Sequence, residues 1–265
     1  MRQGIIKKSV KKIWQKWSIA FKVIPIIVLV ALFKFLAHIY HFEFLELNAL
    51  FTSLVAGTIF LIGFLITGVL SDYKESEKIP SELSSTLKCL FDDSYTLFKA
   101  KNSDSARQFI EYQKSFIHSL KEWFYKKETT TSILNKITLM NEFFISFDKE
   151  GVQPNYIIKM KNDQNAVRKT ILRIDTIRDT DFVGSAYAIV EIMWTVLAFG
   201  LILIKIDPFY SSLFFTIIVM FLISYMFFLI KDLDNPFDYS LLEETGTEIS
   251  LKPIHEFEKV LIEFN

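Results

Sequence analysis

The stretch that decides the fold is residues 49–70, ALFTSLVAGTIFLIGFLITGVL, a run of 22 residues without a charged side chain. An α-helix of this length covers about 33 Å, which is enough to cross the ~30 Å hydrocarbon core of a bilayer. The run therefore predicts a membrane-spanning helix. It contains small residues at positions 56, 57, 63 and 68. Small residues let helix backbones approach closely, so we expect this helix to pack against other helices.

One face of this predicted helix carries a regular stripe. Ala56, Phe60 and Phe64 are spaced four residues apart, which places them one above the other on the helix surface. We predict that this stripe faces a pore. In the competing interpretation the protein is a non-conducting four-span scaffold or signalling protein, and the stripe packs against the first or third helix of its own chain.

Three further apolar runs have the length of a membrane span: Val23–Phe42, Ala186–Ile204 and Phe209–Ile230. Together with a composition that is 51% hydrophobic and includes 27 Phe, they predict an all-α membrane protein with four transmembrane helices and a cytoplasmic helical bundle. The first run is interpreted as a retained span. It is too long for a signal peptide, and no small-residue cleavage site clearly follows it.

The charge distribution predicts the orientation. The first 22 residues contain basic side chains and no acid. They interleave with Ile, Val and Trp, as expected of an amphipathic helix on the membrane surface. The apolar span that follows at once argues against nucleic-acid binding. The loop Phe42–Asn48 contains Glu43 and Glu46 but no Lys or Arg. The positive-inside rule therefore places this loop outside and the N-terminus in the cytoplasm. Four spans bring the C-terminus to the cytoplasm as well. We expect the membrane to be a bacterial inner membrane.

The predicted organisation has five parts, and helical spacing of apolar residues predicts helices throughout the central one. The parts are an amphipathic N-terminal helix (1–22), transmembrane helices 1 and 2 (23–71), a cytoplasmic helical region (72–185), transmembrane helices 3 and 4 (186–231) and a cytoplasmic tail (232–265).

Two charged residues lie within the predicted spans, where polar groups usually face protein or water. Lys34 is expected either to snorkel or form an interhelical hydrogen bond, or to lie near an ion path. Glu191 is either functional or reaches headgroup water, and we do not assume that it pairs with Lys34. His38 and His41 lack a third ligand nearby in sequence, so no metal site is predicted.

The sequence offers little support for catalysis or a bound cofactor. It has no Gly-rich phosphate loop, no HExxH motif and no nucleophile elbow. The single cysteine, Cys89, excludes a disulfide within one chain. We therefore expect no enzyme, no cofactor and no metal.

Two short segments, IGFLITGVLSDYKESEKIP at residues 62–80 and the Asn235-Pro236-Phe237 tripeptide after the last span, carry a family resemblance. They resemble bestrophins, a family of four-span anion channels, and the wider group of bestrophin-like bacterial membrane proteins. The first, Ile62–Pro80, is similar to the family's second-helix signature, and the second is the family's Asn-Pro-Phe motif after the last span. The matching residues are Gly63, Phe64, Ile66, Thr67, Glu77, Ile79, Pro80, Asn235, Pro236 and Phe237.

The resemblance implies a pentameric homo-oligomer that conducts chloride or other small anions. By resemblance Ala56, Phe60 and Phe64 form its hydrophobic neck, with Thr67 below them. Asp72 stands at the cytoplasmic mouth, where animal members of the family have a basic residue, and a ring of Asp72 would attract cations. The acidic run that holds calcium in the family corresponds here to DYSLLEE, which has too few acids to predict a calcium site.

Overall fold

The computed structural model describes residues 2–179, 184–239 and 248–264, with side chains described from Trp17 onward. Within these residues the chain is almost entirely helical, which confirms the predicted all-α class. The helices are α1 (Arg2–Ile39), α2 (Ala49–Ser76), α3 (Ile79–Lys101), α4 (Asp104–Phe124), α5 (Thr130–Lys149), α6 (Pro154–Asp179), α7 (Gly184–Leu203), α8 (Phe209–Asp234) and α9 (Lys252–Glu263).

A two-residue parallel pairing that the sequence analysis did not predict accompanies these helices. Strands β1 (Leu45–Glu46) and β2 (Ile204–Lys205) align Leu45 with Ile204 and Glu46 with Lys205. The pairing fastens the loop before α2 to the end of α7.

Among the described residues, four helical stretches are long and apolar enough to span a membrane, and they include residues of α1, α2, α7 and α8, respectively. The protein is thus a multi-pass integral membrane protein. Helix α1 runs without a break from Arg2, so the predicted amphipathic segment and the first span are one helix, with Pro25 inside it. The placement of residues 1–22 on the membrane surface stays a prediction, since the side chains up to Lys16 lie outside the described residues.

The chain divides into two units, of which the first contains the membrane helices. Its core joins Ile62, Leu65 and Val69 of α2 to Leu197 of α7 and Ile223 of α8, among others. A second cluster includes Val30 of α1, Ala198 of α7 and Met220 of α8.

One glycine of α7 lies directly against an aromatic ring of α2. A Cβ atom at Gly200 would lie 2.6 Å from Cε2 of the Phe51 ring, much closer than real Cβ contacts. The absence of a side chain at position 200 therefore allows the aromatic ring of α2 to pack directly on the backbone of α7.

The second unit contains α3 to α6 and α9. Apolar and aromatic residues that recur at helical spacing between residues 72 and 185, Tyr112 and Leu172 among them, are predicted to form its core, and most of them are buried. Tyr112 is only half-buried. Leu172 is exposed, because it follows Ile171 by one residue and so points away from the buried face of α6. Fully buried members include Leu83, Leu87, Leu90, Phe109, Phe116, Leu120, Trp123, Ile133, Ile137, Met140, Phe144, Val167, Ile171 and Ile174.

Candidate functional site: the free face of helix α2

Helix α2 has one packed face and one free face. Thr58, Ile62, Leu65 and Val69 are buried, at alternating spacings of four and three residues that define a single side of a helix. At 100° per residue, the stripe of positions 56, 60, 64 and 67 lies roughly opposite that side. This stripe, which we call the free face of α2, points away from the helices that the same chain packs against α2.

Exposure of the side chains agrees with this register. Phe60 is 78% exposed and Phe64 69% exposed, and Ala56 and Thr67 are exposed as well. The arrangement expected of a scaffold, in which the stripe is covered by its own chain, is not seen among the described residues. That the stripe borders a pore stays a prediction.

The free face also contains small residues beside the aromatic rings. A Cβ atom at Gly57 or Gly63 would meet nothing within 4 Å. The Thr67 hydroxyl donates a hydrogen bond to the carbonyl oxygen of Gly63 at 2.9 Å, so its remaining lone pairs face outward. The free face thus combines small side chains, two aromatic rings and one hydroxyl group.

Asp72, predicted at the cytoplasmic mouth, is exposed near the end of α2. Helical geometry places it about 120° around the axis from the middle of the free face. Ser71, four residues after Thr67, continues the stripe more closely. Asp72 therefore lies off the free face and closer to the packed face, and its role at a mouth stays a prediction.

Lys34 is fully buried and forms interhelical hydrogen bonds. Its ammonium donates to the carbonyl oxygen of Ile202 at 3.3 Å and to that of Ile204. Its Nζ lies 2.6 Å from Oε1 of Glu43, in the loop after α1. The structure thus shows the interhelical bond that was one of the two expectations for Lys34.

Glu43 also binds His38, whose Nδ1 lies 2.7 Å from Glu43 Oε2. Burial raises the pKa of Glu43, but hydrogen bonds and charge interactions with Lys34 and His38 outweigh that effect and hold the pKa below its usual value. This role of Glu43 is not among the predictions from the sequence. The signal was available, since a buried lysine requires a carboxylate or carbonyl partner and Glu43 is the first acid after it.

Glu191 is exposed on α7, in an open groove lined also by Ala188, Ile192, Thr195 and Val196. It does not pair with Lys34, whose acidic partner is Glu43. Glu191 lies about two turns from the start of α7, whereas Lys34 contacts the other end of that helix.

The residues that carry the family resemblance lie on α2, around the start of α3 and directly after α8. Gly63 lies on α2, Glu77 is exposed, and Pro80 is buried in the first turn of α3. Asn235 ends α8. In the second unit, the Pro236 carbonyl oxygen accepts a hydrogen bond from the amide of Ile249, and Phe237 is completely buried.

The segment after Phe237 is held by ionic and aromatic contacts within the second unit. Lys126 Nζ lies 2.5 Å from Oδ1 of Asp238, and the rings of Phe124 and Tyr239 meet edge to face at 5.8 Å. The described residues contain no group of three His, Cys, Asp or Glu side chains that could hold a metal. Most of the DYSLLEE segment lies outside those residues.

Comparison with solved structures identifies the fold. Two mutant crystal structures of a bacterial bestrophin homologue from Klebsiella pneumoniae match the chain with TM-scores of 0.74 and 0.75, at 17% and 16% sequence identity. They cover 92% and 91% of this chain, and in each case 98% of the matched chain. The chain has the bestrophin fold. A crystal structure described as a membrane protein matches with a TM-score of 0.77 at 15% identity, covering 91% of this chain and 97% of its own.

The bestrophin fold thus accounts for the membrane helices, the helical bundle and the tail together, since the matches span nearly the whole of both chains. No protein-family profile matches the sequence, and no curated protein matches it.

Proposed function

We propose that this chain is one subunit of a homo-oligomeric ion channel, a pentamer by analogy with bestrophins, in which the free face of α2 lines a hydrophobic neck. The observation that carries the proposal is that Ala56, Phe60, Phe64 and Thr67 lie on the side of α2 opposite its packed face. In a ring of subunits around a common axis, this side of α2 lines the water-filled space at the centre.

The chemistry of the free face supports conduction controlled by an apolar constriction. Rings of Phe60 and Phe64 narrow a pore and can exclude water, which closes it to ions. Aromatic edges carry a positive partial charge, so rings that point their edges inward favour anions. Chloride and other small anions are the permeant ions of the proposal. The bilayer and further copies of the same chain are its partners.

The proposed orientation follows from the charge of the loops. Both termini lie in the cytoplasm, and the loop with Glu43 and Glu46 lies outside. The proposed location of the protein is the inner membrane of a bacterium. This orientation puts Thr67 and Asp72 at the cytoplasmic end of the neck and Ala56 at its external end.

The test is ion flux in liposomes that contain the purified protein. We expect Phe60→Ala and Phe64→Ala to raise chloride leak about 10-fold, because each removes a ring from the constriction. Phe214→Ala, an equally drastic change at an exposed position of α8, is the matched control and should leave the flux unchanged.

Two results would remove the proposal. One is a protein that remains a single subunit in mild detergent and in lipid. The other is a conducting protein whose flux responds to Phe214→Ala as strongly as to Phe60→Ala, since the neck would then not be on α2.

A further inference from the structure

A buried charge cluster at one end of the membrane unit is not used by the proposed neck. It consists of Lys34 and His38 on α1 and Glu43 in the loop that follows. The Lys34 side chain is 0% exposed and that of Glu43 8% exposed, whereas that of His38 is 44% exposed. The cluster therefore has a closed interior, and His38 is its one member with a large exposed fraction.

The cluster joins three parts of the chain. Lys34 binds the carbonyl oxygens of Ile202 and Ile204, where α7 ends and β2 begins. The positive ammonium is favourable at this place because the C-terminal carbonyls of a helix carry partial negative charge. Glu43 connects the same ammonium to the loop between α1 and α2.

The loop that Glu43 holds determines where α2 begins. Two residues after Glu43 the chain pairs with β2. Asn48 immediately precedes α2. Its Oδ1 accepts a hydrogen bond from the backbone amide of Phe51 at 2.9 Å, so Asn48 caps the first turn of α2. The segment 43–48 is thus fixed at Glu43, at β1 and at Asn48, and Glu43 lies only five positions before the cap residue of α2.

His38 can change the strength of this attachment. Its ring stacks on Phe209 of α8, with centroids 4.0 Å apart, so the imidazole is held in position to bind Glu43. Histidine is the side chain whose charge normally changes between pH 5 and 8. An imidazolium makes a shorter and stronger bond to a carboxylate than neutral imidazole does.

Apart from Glu43, no ionisable side chain of the described residues forms a hydrogen bond or ion pair with His38. Lys34 is enclosed with Glu43, and the low pKa of Glu43 keeps its carboxylate ionised over the range in which histidine titrates. Glu46 of β1 and Lys205 of β2 are aligned with each other in the strand pair. Asp207, Tyr210, Tyr40 and His41 are the remaining ionisable side chains near this end in the sequence.

We propose that Lys34, Glu43 and His38 form a latch that fixes the start of α2 and makes ion flux through the proposed neck depend on pH at the external end. The inference rests on the proposed function for its effect on flux. The attachment itself can be measured without conduction, because it contributes to the thermal stability of the full-length chain.

The first experiment is a double-mutant cycle on the melting temperature, Tm, of the full-length protein in detergent. Lys34→Met and Glu43→Gln should each lower Tm by roughly 5–10 °C, since each leaves a buried charge without its partner. The double variant should lose clearly less than the sum of the two, because it leaves no unpaired charge. Additive losses would overturn the latch.

The second experiment measures chloride flux into liposomes while the external pH is varied from 7.5 to 5.5. The wild-type flux should change across this range, and His38→Gln should abolish the change while keeping a hydrogen bond to Glu43. The control is His41→Asn, three residues away, which should retain it; Asn suits the positive φ of 54° at this position. The proposal would be overturned if the pH dependence of the flux persisted in His38→Gln or disappeared in His41→Asn.

The two failures can be told apart. If the wild-type protein conducts no ions at any pH, the proposed function fails, and the latch is judged by the Tm cycle and by Tm against pH. In that case Tm should fall more steeply for the wild type than for His38→Gln as the pH rises from 5.5 to 7.5, since the imidazolium–carboxylate bond is lost. Equal slopes would overturn the latch as well.

Discussion

The free face of α2 and the free face of α8 are both exposed in a single chain, yet they are built differently. The α8 face consists of bulky apolar and aromatic side chains, among them Phe214, Phe215, Ile218 and Leu222. The α2 face combines two phenylalanines with Ala56, Gly57, Gly63 and Thr67. Lipid contact requires only bulk and hydrophobicity. The difference therefore indicates that only the α8 face is suited to lipid along its whole length.

The largest expected effect comes from placing a charge at the middle of each face. Phe221→Asp in α8 should strongly reduce the amount of protein in the membrane, because a carboxylate at the centre of a span costs about 2.5–3.5 kcal/mol on insertion. Phe60→Asp in α2 should insert at near wild-type amounts, since water in a pore would solvate it. The measurement is membrane-fraction yield followed by size-exclusion chromatography.

Equal losses for the two variants would break the comparison. They would mean that both faces meet lipid or both meet tightly packed protein. A loss confined to Phe60→Asp would exchange the roles of the two helices.

A smaller effect is expected from adding bulk to the small residue of the stripe. Ala56→Leu should lower the flux about 10-fold, because five larger side chains around an axis narrow an apolar ring. Ile218→Leu in α8 is the volume-conserving control and should have no effect. Unchanged flux in Ala56→Leu would place Ala56 outside the constriction and confine the neck to Phe60 and Phe64.

The smallest effect is expected at Asp72, which lies off the free face, about 120° around the helix axis from its middle. Asp72→Arg should shift the permeability ratio toward anions by about two-fold, since at physiological ionic strength charges act over only about 8 Å. Reversal potentials under a salt gradient measure the ratio, and Asp104→Arg in α4 provides an exposed control. Potentials that stay constant would show that Asp72 does not contribute to the mouth.

Much of the fold could be predicted from the sequence because it depends on local regularities. The charge-free run 49–70 and three similar runs gave the four spans, and helical spacing gave core residues such as Leu83 and Ile137. The exposure of Leu172 was missed, since an apolar residue next to a buried one satisfies hydrophobicity without belonging to the same face.

The candidate site was only partly predictable. The stripe of α2 follows from a spacing of four residues within one helix. The pairing of Lys34 with Glu43 and with the carbonyls of Ile202 and Ile204 depends on contacts between residues up to 170 positions apart. No local pattern reports such contacts, and the two-residue strands are too short to produce an alternating signal.

The contact between Gly200 and Phe51 has a consequence for how related sequences can diverge. A Cβ atom at position 200 would force the ring to move, so Gly200→Ala by itself should be destabilising, while a chain that has already exchanged Phe51 for a smaller residue can accept it. Substitutions at these two positions are therefore expected to arise as a pair. Lineages that keep the aromatic residue should keep the glycine, although the two lie about 150 residues apart in the sequence.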